Sequence, residues 1–225
     1  LNAHLINRGH IPNCNDSDFR FVELNDSADV AKNIVNLCLE QVRSGKNLSL
    51  NDIQVLSPMH RLDCGVENLN KLLQQALNPE YEEQESINGI NQVFRQGDKV
   101  MQIRNNYVKN VFNGDIGFIK KIEGNKITVT YPDIEVGYEQ NELNEIQLAY
   151  AMRVHKSQGS EYKVVIMPLI AGHHVMLQRN LLYTAVTRAK EKVVLLGSKA
   201  ALNTAISNDK TKKRYSLLAE RLKGD

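Results

Sequence analysis

Residues 148–198 read LAYAMRVHKSQGSEYKVVIMPLIAGHHVMLQRNLLYTAVTRAKEKVVLLGS, and the fold of the chain turns on them. Leu148, Met152 and His155 recur at helical spacing, and Gly159 stands where a helix needs a left-handed stop, so the first segment is expected to be helical. Lys163 to Leu169 is a continuous apolar run of the kind buried on both faces of a parallel sheet. Gln178 to Lys190 then reads as a second helix, with Leu182, Ala185, Val186 and Ala189 on one face, running into the apolar strand Val193 to Leu196. Helix, strand, helix, strand predicts an α/β domain. His155, Lys156, Ser157, Gln158 and Glu161 come to its edge at the first junction, and Thr187 and Arg188 near the end of the second helix. Open α/β sheets bind their ligands at such edges.

Working outward, 225 residues make one large or two small domains with room for a real core. A hydrophobic fraction of 42% with 24% charged residues describes an ordinary soluble globular protein. The formal net charge is only +2, so any contact with nucleic acid has to be local. Cys14, Cys38 and Cys64 form no C-x-x-C pair and no metal-ligand spacing, which reads as free thiols and a cytoplasmic setting. No apolar run approaches the roughly 20 residues that span a bilayer, so no membrane partner is expected. The first ten residues, LNAHLINRGH, lack the apolar core of a secretory signal, and a start at Leu1 is read as a piece cut from a longer chain.

Before the deciding stretch, residues 1–12 look like the tail of a helix followed by a turn, and DFRFVEL gives a short strand. Ser27, or Asp26 before it, can cap a helix carrying Val30, Ile34, Leu37, Cys38 and Val42, with Gly45 as its stop. Ile53, Val55 and Leu56 form a core strand closed by Pro58, and a helix follows from about Gly65 to Leu77. Residues 78–92, with Glu80, Glu82, Glu83 and Glu85, read as a solvated linker. KVMQI, GFIKKI, KITVTY and EVGYE are then short strands separated by turn-forming residues such as Asn113-Gly114-Asp115 and Glu123-Gly124-Asn125. Four or five strands in about 50 residues suggest a small barrel inserted into the α/β domain. Residues 200–206 and 216–222 are expected to be helical, with Lys210, Lys212, Lys213 and Arg214 a basic cluster between them, solvated or in contact with phosphate.

Several of these stretches resemble a known family. HKSQGSEYKVVI resembles motif V of superfamily-1 helicases, and LLYTAVTRAK resembles motif VI, with Arg188 in the place of that motif's arginine. VHKSQGSE, QVLSPMHR and GDKVMQIRNNYVKNVFNGDIG are similar to the RecD-like branch, and the resemblance covers nearly the whole chain. It implies a RecA-like parallel sheet with helices on both faces and an inserted SH3-like β-barrel. The layout it implies is the end of a preceding motor domain and a connector over 1–18, the second motor domain over 19–90 and 145–225, and the barrel over 91–144. The activity implied is that of an ATP-dependent DNA helicase moving 5′ to 3′ on single-stranded DNA.

No G-x-x-x-x-G-K-[ST] phosphate loop occurs in the chain, since Gly45-Lys46 is followed by Asn47. The isolated chain is therefore expected not to hydrolyse ATP. The resemblance implies that ATP and Mg²⁺ occupy a site shared with an N-terminal RecA-like domain, with none held by this chain alone. Within the resemblance, Arg188 reaches the γ-phosphate across the cleft, where a planar guanidinium stays charged and meets two oxygens at once. Arg61, in SPMHR, resembles the motif IV arginine that approaches the same phosphate. Glu161 resembles the motif V carboxylate that accepts a ribose hydroxyl, and Gly159 lets the backbone come close to the nucleotide, besides serving as a helix stop. His155, Lys156 and Ser157 are candidates for the phosphate backbone of single-stranded DNA, although His155 alone fits a core hydrogen bond equally well. On the inserted barrel Asn113, with Tyr107 and Phe112, is a candidate for strand contact, the two aromatics fitting a core position as well. His173-His174 are adjacent on a loop with no nearby acid or thiol, so no metal is expected there. The alternative to a motor half is a nucleic-acid-binding or regulatory module without ATPase activity, or a subunit of a helicase and nuclease complex.

Overall fold

The computed structural model describes residues 1–14, 16–43, 48–82 and 84–209. Gly45, the basic cluster from Lys210 to Arg214 and the helix expected over 216–222 lie outside the described residues. In chain order the elements are α1 (Asn2–Asn7), β1 (Phe19–Glu23), α2 (Ser27–Arg43), β2 (Ile53–Ser57), α3 (Val66–Leu77), β3 (Ser86–Asn88) and β4 (Val93–Arg95). Next come β5 (Lys99–Gln102), β6 (Ile116–Glu123), β7 (Lys126–Thr130), β8 (Glu135–Glu139), β9 (Ile146–Leu148) and β10 (Ala151–Arg153). The chain closes with β11 (Tyr162–Leu169), α4 (Arg179–Val186), β12 (Ala189–Gly197) and α5 (Lys199–Ser207).

Two sheets organise the molecule. The larger is wholly parallel, in the order β1-β12-β11-β2-β10. Its apolar strands send alternate side chains to opposite faces. Val164, Ile166, Val194 and Leu196 pack with α2 and α3, while Val165, Met167, Val193 and Leu195 pack with α1, α4 and α5. A sheet covered on both faces needs strands without polar alternation, which is what the runs KVVIMPL and VVLL supply. The smaller sheet is antiparallel, in the order β8-β7-β6-β5-β9, and lies between α3 and β10 in sequence. Its inner face carries Ile119, Ile122, Ile127, Val129, Val136 and Tyr138, continuous with the α2/α3 side of the larger core. Among the described residues no helix is long and apolar enough to cross a membrane.

Local chemistry sets most boundaries. The Asp26 carboxylate caps α2 by accepting from the backbone N–H of Ala28 at 2.9 Å and of Asp29 at 3.0 Å. The Ser198 hydroxyl does the same for α5, accepting from Ala201 N–H at 3.2 Å.

Three expectations are corrected. The segment 148–158 is not a helix: it forms β9, β10 and a 3₁₀ turn over Val154–Ser157. Its backbone is claimed by distant side chains before it can bond to itself. Asn70 donates to Leu148 O and Ala151 O and accepts from Ala151 N–H, and Gln54 donates to Ala149 O and Tyr150 O. These tertiary partners satisfy the chain in an extended shape, so helical spacing of three side chains loses. The helix expected to reach Lys190 ends at Val186, because Ala189 and Lys190 already belong to β12 beside Tyr162. Residues 78–92 are only partly a linker, since β3 and β4 form a hairpin and Glu80 meets Arg95 at 3.2 Å.

The joint between the two sheets is polar and buried. Asp98 accepts from Gln74, Asn78, Tyr150 and the backbone of Arg95, and burial pushes its carboxyl above the usual range against these bonds. Lys99 beside it donates to Leu50 O at 2.8 Å, Ile53 O at 3.0 Å and Gln54 Oε1 at 3.0 Å. Its ammonium lies 5.6 Å from the Tyr162 ring centre. Burial pushes the Lys99 pKa down to about 7, opposed by the negative charge of neighbours such as Asp52. Between pH 7 and the ordinary lysine range near 10.5, the unfolded chain holds a proton that folded Lys99 has released, so Lys99 makes the fold more stable as pH rises. Urea midpoints at pH 7 and pH 9.5 should therefore rise less in Lys99→Met than in the wild type; parallel curves would show that Lys99 stays charged when folded.

Candidate functional site

Parallel strands give the larger sheet two distinct edges, and the expected site residues divide between them. Arg188 follows α4 and precedes β12, and its carbonyl accepts from Tyr162 N–H at 2.9 Å, so it sits where β11 and β12 begin. The side chain is half-buried. Its Nε donates to Thr184 O at 3.3 Å, Nη1 to Ser160 O at 3.2 Å and Nη2 to Thr187 Oγ1 at 3.4 Å. Thr184 O belongs to the C-terminal turn of α4, whose negative dipole end favours a cation. These are long bonds, and they use three of the five N–H donors of a guanidinium. The group is oriented by its own chain with donors to spare.

Arg188 reaches Ser160 because the chain turns sharply ahead of β11. Ser160 N–H donates to Ser157 O at 3.1 Å, with Gln158 at φ −62° and ψ 130° and Gly159 at φ +88°. These are the angles of a type II turn, whose third residue needs the left-handed region. A side-chain carbon at Gly159 would meet no atom within 4 Å, so what the position needs is the backbone angle. Glu161 follows, with its carboxylate 3.1 Å from Lys190 Nζ and both side chains more than half exposed. Exposed pairs of this kind are worth about 0–1 kcal/mol, so Glu161 can exchange its partner for a ligand hydroxyl at little cost.

The opposite edge carries the strand ends Ser57, Arg153 and Leu169 and the loops that follow them. His155 and Lys156 lie on the 3₁₀ turn after β10, with His155 exposed. Arg61 lies in the loop after β2, exposed, beside His60 and at the mouth of a groove of about 790 Å³ between α3 and the β3–β4 hairpin. By strand register, the level of Tyr162, beside Arg188, and the level of Ser57, four residues before Arg61, are about 20 Å apart along the sheet. The expectation for Ser157 is corrected: it is fully buried and donates to Val154 O at 2.7 Å, so its hydroxyl fixes the turn and does not face solvent.

The smaller sheet brings one loop to this same edge. Lys156 Nζ donates to Asn113 Oδ1 at 2.7 Å, joining two candidates that are 43 residues apart. Beside Asn113, Tyr107 is 78% exposed and Phe112 40% exposed, with ring centres 5.9 Å apart in an edge-to-face pair. The two aromatics are therefore at the surface and not in the core. Reading by motif passed over Arg153, an exposed cation at the end of β10. Its only sequence signal is its position two residues before His155.

His173 is buried, and neither ring nitrogen has a hydrogen-bond partner among the described residues. Burial lowers its pKa to about 4, leaving it neutral at physiological pH. Among the described residues no group of three or more His, Cys, Asp or Glu side chains is placed to hold a metal ion.

Residues 69–131 match the family model of the ATP-dependent RecD-like DNA helicase SH3 domain, and residues 148–196 match that of the UvrD-like helicase C-terminal domain. The ATP-dependent RecD2 DNA helicase of Deinococcus radiodurans is 37% identical over 166 residues, covering 74% of this chain and 23% of the relative. The RecBCD enzyme subunit RecD of Haemophilus influenzae is 29% identical over 237 residues, covering 91% of this chain and 34% of the relative. The chain thus spans about a quarter to a third of the length of these curated relatives. A crystal structure of Pif1 helicase from Candida albicans shares the fold, with a TM-score of 0.52 at 14% identity, over 98% of this chain and 56% of that one. With a RecD-like SH3 domain set ahead of a UvrD-like C-terminal helicase domain, the chain belongs to the RecD-like family of superfamily-1 helicases and corresponds to its C-terminal motor region.

Proposed function

We propose that this chain is the C-terminal half of an ATP-dependent DNA helicase that moves 5′ to 3′ along single-stranded DNA. Its second RecA-like domain, residues 19–90 and 145–225, faces an N-terminal RecA-like domain to which residues 1–18 lead, and residues 91–144 form an inserted barrel. The observation that carries the reading is the convergence of Arg188, Gly159 and Glu161 on the edge where β11 and β12 begin, with Arg188 Nη1 on Ser160 O at 3.2 Å. That edge suits a nucleotide. Arg188 offers its remaining N–H donors to the outermost phosphate oxygens, Glu161 accepts from a ribose hydroxyl, and the Gly159 turn leaves room for close approach. Bound ATP supplies the phosphoryl group whose transfer to water drives the cycle. The phosphate loop and the carboxylates for Mg²⁺ are assigned to the other domain, because neither is written in this chain.

The opposite edge is the one for the strand. His155, Lys156 and Asn113 position its phosphates, and Tyr107 and Phe112 offer faces on which bases stack, each stacked base contributing about 1–3 kcal/mol. With ATP and single-stranded DNA at opposite edges, closure on nucleotide shifts the grip on DNA. A cytoplasmic setting fits the free thiols of Cys14, Cys38 and Cys64.

The test is a titration of labelled single-stranded oligonucleotide with this chain across a salt series. Weak binding is expected, with log affinity falling linearly as log salt rises, as for a half-site held through phosphates. Absence of binding at low salt, or binding indifferent to salt, would remove the strand from the opposite edge. Strand binding that persists in a full-length protein without nucleotide hydrolysis would favour a binding module without ATPase activity.

A further inference from the structure

We infer that Arg61 and Arg153 are contacts for the phosphate backbone of the bound strand, so that Arg61 serves the nucleic-acid edge of the sheet and not the nucleotide. The inference rests on the strand reading above and assigns it two residues. Arg153 lies directly opposite Ser57 in the β10–β2 register, and Arg61 follows Ser57 by four residues, so both guanidiniums leave the same edge from neighbouring strands. Both are exposed, and neither side chain makes a hydrogen bond or an ion pair among the described residues. Some cations of the domain are matched, Lys163 with Asp52, Lys190 with Glu161 and Lys199 with Glu23. The acids near Arg61 are also engaged, Asp63 by the Ser27 hydroxyl and Glu67 by His60 at 3.8 Å. In a chain of net charge +2, two unmatched guanidiniums beside Lys156 and His155 make this edge a local positive strip.

The loop that carries Arg61 is held firmly. Ser57 Oγ donates to Cys64 O at 2.6 Å, while Gly65, Val66 and Glu67 donate from their backbones to Leu62, Met59 and His60. Leu62 is kept at φ 77°, a region that bulky residues rarely adopt. Strain of this kind persists only where the surroundings over-determine it, and it concentrates at functional loops. A guanidinium on a fixed support meets two phosphate oxygens with its planar fork and loses little freedom in doing so. Such contacts set the path of the strand without reading its sequence.

The experiment measures anisotropy of a labelled oligothymidylate with the full-length protein over a salt series, in the wild type, Arg61→Gln, Arg153→Gln and the lysine replacements at both sites. Each glutamine variant should bind about three- to tenfold more weakly at low salt, with the log–log salt slope smaller by about 0.7 for each phosphate left without its cation. Lysine should retain the slope, since it keeps the charge. Arg61 would instead be a nucleotide ligand if Arg61→Gln kept wild-type strand affinity and slope while ATP turnover at saturating DNA collapsed, and unchanged values in both assays would make both arginines bystanders. A lost slope in the lysine variants would equally overturn the inference. Failure of the wild type to bind the oligonucleotide would remove the strand reading and this assignment together, whereas a binding wild type with indifferent variants removes the assignment alone.

Discussion

Replacing Arg188 by alanine in the full-length protein is expected to lower ATP turnover by about 10³- to 10⁵-fold while leaving nucleotide binding largely in place. The size of the effect follows from where charge appears. An arginine offered across a cleft stabilises the negative charge that grows on the transferring phosphoryl group, and it matters least in the ground state, where other groups already hold the nucleotide. The three bonds that orient Arg188, to Thr184 O, Ser160 O and Thr187 Oγ1, are between 3.2 and 3.4 Å long and lie within its own chain. Their loss should disturb the local turn only modestly, so a collapse of turnover without a collapse of the fold is the diagnostic result. Single-turnover hydrolysis alongside fluorescent-nucleotide titration separates the two. Normal turnover in Arg188→Ala would defeat the assignment, and lysine at the same position should recover little, because a point charge cannot meet two oxygens as the fork does.

The second large effect is on folding. Gly197→Ala should destabilise the protein by more than about 3 kcal/mol, enough to lower the urea midpoint sharply or prevent folding. Gly197 ends β12 between Leu169 of β11 and Glu23 of β1, in register with both. Its φ is +147°, and a side-chain carbon there would stand 1.8 Å from Leu169 O and 2.5 Å from Leu169 C. Backbone atoms of a central strand cannot withdraw as a flexible side chain would. The close approach also serves two bonds, from Leu24 N–H to Gly197 O at 2.9 Å and from Ser198 N–H to Leu169 O at 3.1 Å, which tie three strands and the start of α5 together. An unchanged urea midpoint in Gly197→Ala would mean that the strands relax apart at no cost.

Much of this architecture was legible from residue order. The apolar runs KVVIMPL and VVLL require a sheet covered on both faces, and the Asp26 carboxylate marks where α2 begins. The left-handed backbone at Gly159 was legible too, though as the stop of a helix that does not form, because only a residue without a side chain adopts that angle freely. The segment after Leu148 was not. Its side-chain spacing favoured a helix, but the groups that hold it extended, Gln54 and Asn70, are some 80 to 95 residues away in sequence. Burial of Ser157 was equally hidden, since a hydroxyl in a polar stretch looks available until its turn closes on it.

What the sequence determined by itself is therefore the set of parts: which runs become strands, where α2 is capped, and which charged residues the connecting loops carry. Only the tertiary structure decided their distribution. Parallel strands place every beginning at one edge and every end at the other, so Arg188 and Glu161 fall on the first, and Arg61 and Arg153 on the second. The direction in which a residue's strand enters the sheet is a property of the assembled fold, fixed by backbone bonds between segments far apart in the chain.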